Sequence, residues 1–245
     1  MEYLILAGAG LAAGFVDAIA GGGGLLTVPA LLWAGLPPQM ALGTNKLQSV
    51  FGTALAAVSY SRAGLLDWRK LRPGIAITFL AAVAGSLTVS QLDAGFLRRI
   101  IPVLLLTIAV FLWLKPELGA EKRAARMQPL PFAVACGIAL GFYDGFFGPG
   151  AGSFWLVACV VLLGLDLRAA TGHTKAMNLA SNLGALAVFL IARQVRFDVG
   201  AVMIAGQLVG AKLGSGLVIR RGARLVRPVF LAVVLLLALR LLWRG

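Results

Sequence analysis

The sequence predicts an all-α polytopic membrane protein of two inverted repeats, each a broken or re-entrant helix pair followed by three transmembrane helices. Three observations predict it. Of 245 residues, 60% are hydrophobic and 13% charged, with a mean hydropathy of +0.94; a soluble domain is usually about 45–50% apolar and about 25% charged. A glycine-broken apolar phrase with one acid occurs twice, as Gly14-Phe15-Val16-Asp17-Ala18-Ile19-Ala20-Gly21-Gly22-Gly23-Gly24 and as Gly141-Phe142-Tyr143-Asp144-Gly145-Phe146-Phe147-Gly148-Pro149-Gly150-Ala151-Gly152. The remaining apolar sequence falls into segments arranged symmetrically about one polar linker.

The segments run at 3–20, 25–36, 41–61, 73–92 and 97–114, and again at 130–147, 153–165, 170–192, 198–219 and 226–243. Segment 3–20 carries Asp17 and ends in glycines. Segment 25–36 as a helix is about 18 Å long, against about 30 Å of hydrocarbon, and does not cross alone. The two are read as one broken hairpin, a backbone tolerated at membrane depth only inside protein or beside a wet cavity. Segments 41–61, 73–92 and 97–114 are long enough to span. The second half repeats this order: Asp144 stands 127 residues after Asp17, and Lys175 stands 129 after Lys46. The chain is therefore one transmembrane domain over 1–245, with repeat 1 at 1–114, a cytoplasmic linker at 115–130 and repeat 2 at 131–245. Short, glycine-interrupted segments at matched places in two repeats point to a transporter.

An odd number of segments per repeat inverts the second half. With the N-terminus outside, loops 62–72, 115–130, 166–175 and 219–228 face the cytoplasm and hold 14 basic residues. The outer side receives Lys46, Arg98, Arg99, Arg193, Arg196, Arg240 and Arg244. The positive-inside bias favours this arrangement over a parallel repeat with four spans per half. The net charge of +13 thus reports topology and anionic lipid, not nucleic acid, which needs a hydrophilic basic face. The start of the chain has Glu2 and no basic n-region, so a signal peptide is not expected.

Other motifs reduce to packing. Gly8-Ala9-Gly10-Leu11-Ala12-Ala13-Gly14 imitates a dinucleotide fingerprint, but no βαβ unit follows and no acid lies between Asp17 and Asp67. Small residues at that spacing pack helices in lipid. Cys136 and Cys159 lie in apolar stretches as packing residues. His173, the lone histidine, makes no zinc site. No metal, no cofactor and no catalytic residue is expected, and an enzyme is not.

Asp17 and Asp144 are intramembrane acids, either coupling groups that bind a proton or cation or structural caps for the glycine turns. The third segment of each half carries a polar stripe: Lys46, Ser49 and Thr53 at i, i+3 and i+7, and Lys175, Asn178 and Asn182 likewise. Asn45, Gln48, Thr174 and Ser181 widen it. Facing lipid it would cost several kcal/mol, so it faces protein or a cavity. It serves either as interhelical hydrogen-bond glue or, through its lysines and the nearby helix N-termini, as an anion site. Lys212 either faces the same cavity or snorkels.

At these residues the chain resembles the sulfite exporter TauE/SafE family of membrane permeases. The resemblance rests on the run at 14–24, on Thr27-Val28-Pro29 and on Leu42-Gly43-Thr44-Asn45-Lys46. In the second half it rests on Gly141 to Gly150 and on Lys175-Ala176-Met177-Asn178-Leu179-Ala180-Ser181-Asn182. It implies a multi-pass permease of the cell inner membrane that exports small sulfur-containing anions, such as sulfite or organosulfonates. The expected substrate site comprises Asn45, Lys46, Ser49, Thr53, His173, Thr174, Lys175, Asn178 and Asn182, with Gly22, Gly23, Gly150 and Gly152 supplying backbone at the breaks. The partners expected are a small anion, membrane lipid and, in a homodimer, a second copy of the chain. The alternatives are an anion channel and a non-transporting membrane scaffold.

Overall fold

The computed structural model describes residues 2–114 and 124–221. The expected tenth segment, 226–243, and linker residues 115–123 lie outside the described residues. Among the described residues all regular structure is helical: α1 (Glu2–Ala20), α2 (Gly24–Trp33), α3 (Pro38–Arg62), α4 (Trp68–Ser90), α5 (Ala94–Leu114), α6 (Pro129–Phe146), α7 (Ala151–Leu162), α8 (Leu167–Ile191) and α9 (Phe197–Arg221). Helices α1, α4, α6, α8 and α9 are long and apolar enough to cross a membrane. The 25 residues of α3 also suffice in length, but its polar stripe lowers its hydropathy. At 10 and 12 residues, α2 and α7 reach only about 15 and 18 Å.

Sequence signals set the helix ends. Pro38 and Pro129 open α3 and α6, where a missing N–H costs no intrahelical bond. Asp67 and Asp166 cap α4 and α8, the latter accepting from the backbone N–H of Arg168 and Ala169. The breaks inside the repeats are glycine conformations. Gly21 and Gly22 have φ of +68° and +138°, and Gly148 and Gly150 have +95° and +81°, a region other residues rarely adopt.

The breaks are shorter than the glycine clusters Gly21–Gly24 and Gly148–Gly152 of the sequence. The first covers 21–23 and the second 147–150, because α2 starts at Gly24 and α7 at Ala151. Gly24 and Gly152 belong to first helical turns, whose N–H groups need no intrahelical acceptor.

Helix pairing recurs between the halves. α1 runs along α9 as α4 runs along α6; α3 packs on α9 as α8 packs on α4; α3 and α8 pack on each other. Glycines make the long pairings close. A Cβ at Gly206, Gly210 or Gly214 of α9 would strike backbone carbonyls of Ala7, Leu11 or Phe15 on α1. A Cβ at Gly85 of α4 would strike the Phe142 carbonyl of α6, and one at Gly145 the Ala82 carbonyl of α4. In lipid, where apolar surface gains nothing by meeting apolar surface, such close approach supplies the dispersion that holds helices together. Large apolar side chains such as Leu80, Val103, Ile138 and Leu213 stay exposed on outer faces. α8 is the central helix, buried along most of its length.

Candidate functional site

The two breaks meet. A Cβ on Gly21 would overlap Gly152, and one on Gly24 would press Pro149 at 3.1 Å. The Ser153 hydroxyl, in the first turn of α7, donates to the carbonyl of Ala20 at 3.2 Å and to that of Gly21. The N-terminal ends of α2 and α7 therefore sit side by side, one from each half.

The acids stand beside the breaks. Asp17 lies in the last turn of α1. Its main-chain carbonyl accepts from Gly21 N–H at 2.9 Å, and its Oδ1 accepts from Gly22 and Gly23 N–H at 3.2 and 3.4 Å. This is the glycine-turn role the sequence allowed. Its Oδ2 has a second partner, Lys175 Nζ of α8 at 2.9 Å. Asp144, in the last turn of α6, mirrors it: its Oδ1 takes Lys46 Nζ of α3 at 2.5 Å, and its Oδ2 accepts from the Ser181 hydroxyl of α8. Lys46 also donates to Asn182 Oδ1 at 3.2 Å. Each acid is thus paired with the lysine of the other half.

The two lysines expected at an anion site thus have the protein's own carboxylates as partners. Both ammonium groups are buried, Lys46 at 1% and Lys175 at 0% exposure, and each is neutralised. A buried charge costs several kcal/mol unless paired and hydrogen-bonded, so acid and base from the two halves satisfy each other.

Between the pairs lies a cavity of about 20 Å³ lined by Asp17, Gly22, Gly24, Asn45, Lys46, Ser49, Asp144, Gly148, Gly150, Ala151, Gly152, Asn178 and Asn182. It has room for about one water, less than any sulfur oxyanion. Asn178 Oδ1 is buried here with no hydrogen-bond partner in the protein. Asn45 Oδ1 accepts from Gln48 Nε2 at 3.0 Å and from the Thr27 hydroxyl of α2, fixing the stripe to the start of the short helix.

Of the expected residues, Asn45, Lys46, Ser49, Asn178, Asn182, Gly22, Gly150, Gly152 and both acids converge on this cavity. Lys175 reaches it only through Asp17. Four others do not line it either. Thr53 turns its hydroxyl back to the Ser49 carbonyl at 2.7 Å. Thr174 packs against Cys159. His173 meets the Phe132 ring edge-on at 5.9 Å, since two residues along a helix from Lys175 point about 200° away. Gly23 serves through its N–H to Asp17, and its missing side chain leaves room for the Asp17 Cβ. Lys212 is exposed on α9 and does not line the cavity. The site expectation left out Gly24, Gly148 and Ala151 of the lining and did not make Ser181, which it placed at the edge of the stripe, a partner of Asp144. Among the described residues no cluster of His, Cys, Asp and Glu forms a metal site.

Residues 6–241 match the family model described as sulfite exporter TauE/SafE. The chain is 45% identical over 231 residues to the probable membrane transporter protein YfcA of Escherichia coli K12, covering 94% of this chain and 86% of that protein. It is 42% identical over 234 residues to a probable membrane transporter protein of Haemophilus influenzae, covering 96% and 92%. A probable membrane transporter protein of Bacillus subtilis, YunE, is 24% identical along the full length. No solved structure matches. A helical membrane chain, matched from end to end by this family and by these transporters, belongs to the sulfite exporter TauE/SafE family of membrane transporters.

Proposed function

We propose that this chain is a secondary transporter of the cell inner membrane that exports small sulfur-containing anions, of the sulfite or organosulfonate class, through the cavity between the two breaks. The observation that carries this reading is the convergence of one buried lysine, Lys46, and two helix N-termini on one polar cavity, with a second buried lysine, Lys175, paired to the cavity's Asp17. The first turns of α2 and α7 add positive dipole ends to the site. Because the lysines are already paired, an arriving anion replaces an aspartate as the partner of Lys46, the lysine that lines the cavity. A cavity of about one water must widen to admit it, and the glycine breaks are where the backbone is free to yield. The family description supports the sulfur-anion class.

We also read the two halves as inverted in the membrane. The exchange of helix pairings between halves is the pattern a two-fold axis produces, and the basic bias selects an axis in the membrane plane.

The test is uptake and efflux of sulfite, thiosulfate, sulfate and short alkanesulfonates in proteoliposomes of the purified chain. Saturable flux of at least one sulfur anion, lost in Lys46→Met, is expected. Flux at electrophysiological rates assigns a channel, and no flux of any anion assigns a scaffold; either result overturns the proposal.

A further inference from the structure

We infer that anion movement is coupled to a proton carried by Asp144, with Ser181 as the group that makes the carboxyl able to accept it. The inference rests on the anion-transport reading above and adds the coupling ion.

It begins with charge. The site holds Asp17 and Asp144 against Lys46 and Lys175, all buried or nearly so, and its net charge is zero. A monovalent anion entering alone would leave an uncompensated charge in a low-dielectric cavity, at a cost of several kcal/mol. One proton entering with it restores neutrality. The titratable groups around Asp144 are few. Lys46 on α3 touches it; Asp17 on α1 and Lys175 on α8 lie across the cavity. Tyr143, beside it on α6, and Tyr60, on α3 near Asp17, donate to the carbonyls of Pro149 and Ala18 at 2.6 and 2.8 Å. α7 offers only Cys159, buried among apolar side chains, and α4 has no titratable side chain from Gly74 to Ser90.

The two acids differ in what faces them. Asp17 is surrounded by Gly22 N–H, Gly23 N–H and the Lys175 ammonium. All three donate and none accepts, so a proton on Asp17 would point at another hydrogen. Asp144 Oδ2 instead faces the Ser181 hydroxyl, which both donates and accepts. Ser181 Oγ also lies 3.2 Å from the Met177 carbonyl and 3.1 Å from that of Asn178. When a proton from water binds Asp144 Oδ2, the new O–H donates to Ser181 Oγ, and Ser181 turns its own hydrogen to one of those carbonyls. The hydrogen bond between Asp144 Oδ2 and Ser181 Oγ is kept with its direction reversed. Lys46, still held by Asn182, is released from Asp144 Oδ1 and takes the anion. On the far side the anion leaves, the proton returns to water, and the Lys46–Asp144 pair closes again.

The probe is ethanesulfonate, a monovalent anion whose own charge is constant from mildly acid to mildly alkaline buffer. Binding to the purified wild-type chain is measured by calorimetry in buffers of different ionisation enthalpy. The expected result is uptake of one proton per anion, with affinity falling as the pH rises. Asp144→Asn is expected to bind ethanesulfonate with no proton uptake and no pH dependence. An infrared difference spectrum of the wild type on binding is expected to gain a carboxylic-acid band, which serves if Asp144→Asn does not fold. Binding without proton uptake or band overturns the coupling while leaving the anion site standing. Retained proton uptake in Asp144→Asn overturns the assignment to Asp144. Failure of the wild type to bind the anion at any pH overturns the site reading, and the coupling with it.

Discussion

The crossed ion pairs make a sharp prediction about stability. In Lys46→Met the ammonium is removed from a pair at 2.5 Å whose side chains are 2% and 4% exposed. The Asp144 carboxylate is left buried with Ser181 as its remaining partner. Breaking a buried pair from one side costs about 3–5 kcal/mol. At about 2–4 °C per kcal/mol for a chain of this size, the midpoint of thermal unfolding in detergent should fall by roughly 6–20 °C. Asp144→Asn should cost a similar amount, because it strands the Lys46 ammonium beside Asn182. The double variant Lys46→Met/Asp144→Asn removes both charges and should recover most of the loss, so the two effects are strongly non-additive. Tryptophan fluorescence during a thermal ramp gives all four midpoints. A double variant as unstable as the sum of the singles would refute the pairing, because the two residues would then act independently.

Three further expectations follow from packing and topology. Gly148→Ala should depress transport while the protein still inserts and elutes as a single species, since φ is +95° and the new Cβ would lie 2.8 Å from Lys46 Nζ; unchanged flux would place the break outside the transport path. Asp166→Ala should lower the unfolding midpoint only slightly, by the loss of about 1 kcal/mol of cap; a large loss would mean that Asp166 does more than hold Arg168 and Ala169 N–H. Reporter fusions in the 115–130 linker and after Gly245 should report opposite sides of the membrane, and agreement between them would exclude inverted halves.

Much of the architecture was legible because it is local. Hydropathy marks each helix, proline and aspartate mark starts, and glycine marks both breaks, so the order from α1 to α9 follows the segments closely. The polar stripe was legible for the same reason: Lys46 and Ser49 share a face by helical spacing alone. Reach along the axis was not. Thr53 shares that face but lies about 10 Å further along, beyond the cavity, and its hydroxyl bonds its own helix. The pairing of charges was least visible. Asp144 is 98 residues from Lys46 and Lys175 is 158 from Asp17, and no periodicity relates positions so distant. A signal was present in the inventory itself: two acids and two lysines at repeat-matched places in apolar sequence demand mutual neutralisation. The division of labour between the acids lay outside it, since Ser181 and the Gly22–Gly23 amides differ only in whether they accept a proton's hydrogen bond.

The crossing of the pairs constrains how the chain is made. Neither half is self-sufficient in charge: the first supplies Asp17 and Lys46, the second Asp144 and Lys175, and each acid finds its lysine only in trans. A ribosome that has released only the first half has delivered to the bilayer one carboxylate and one ammonium without native partners, so insertion of the second half completes the first as well.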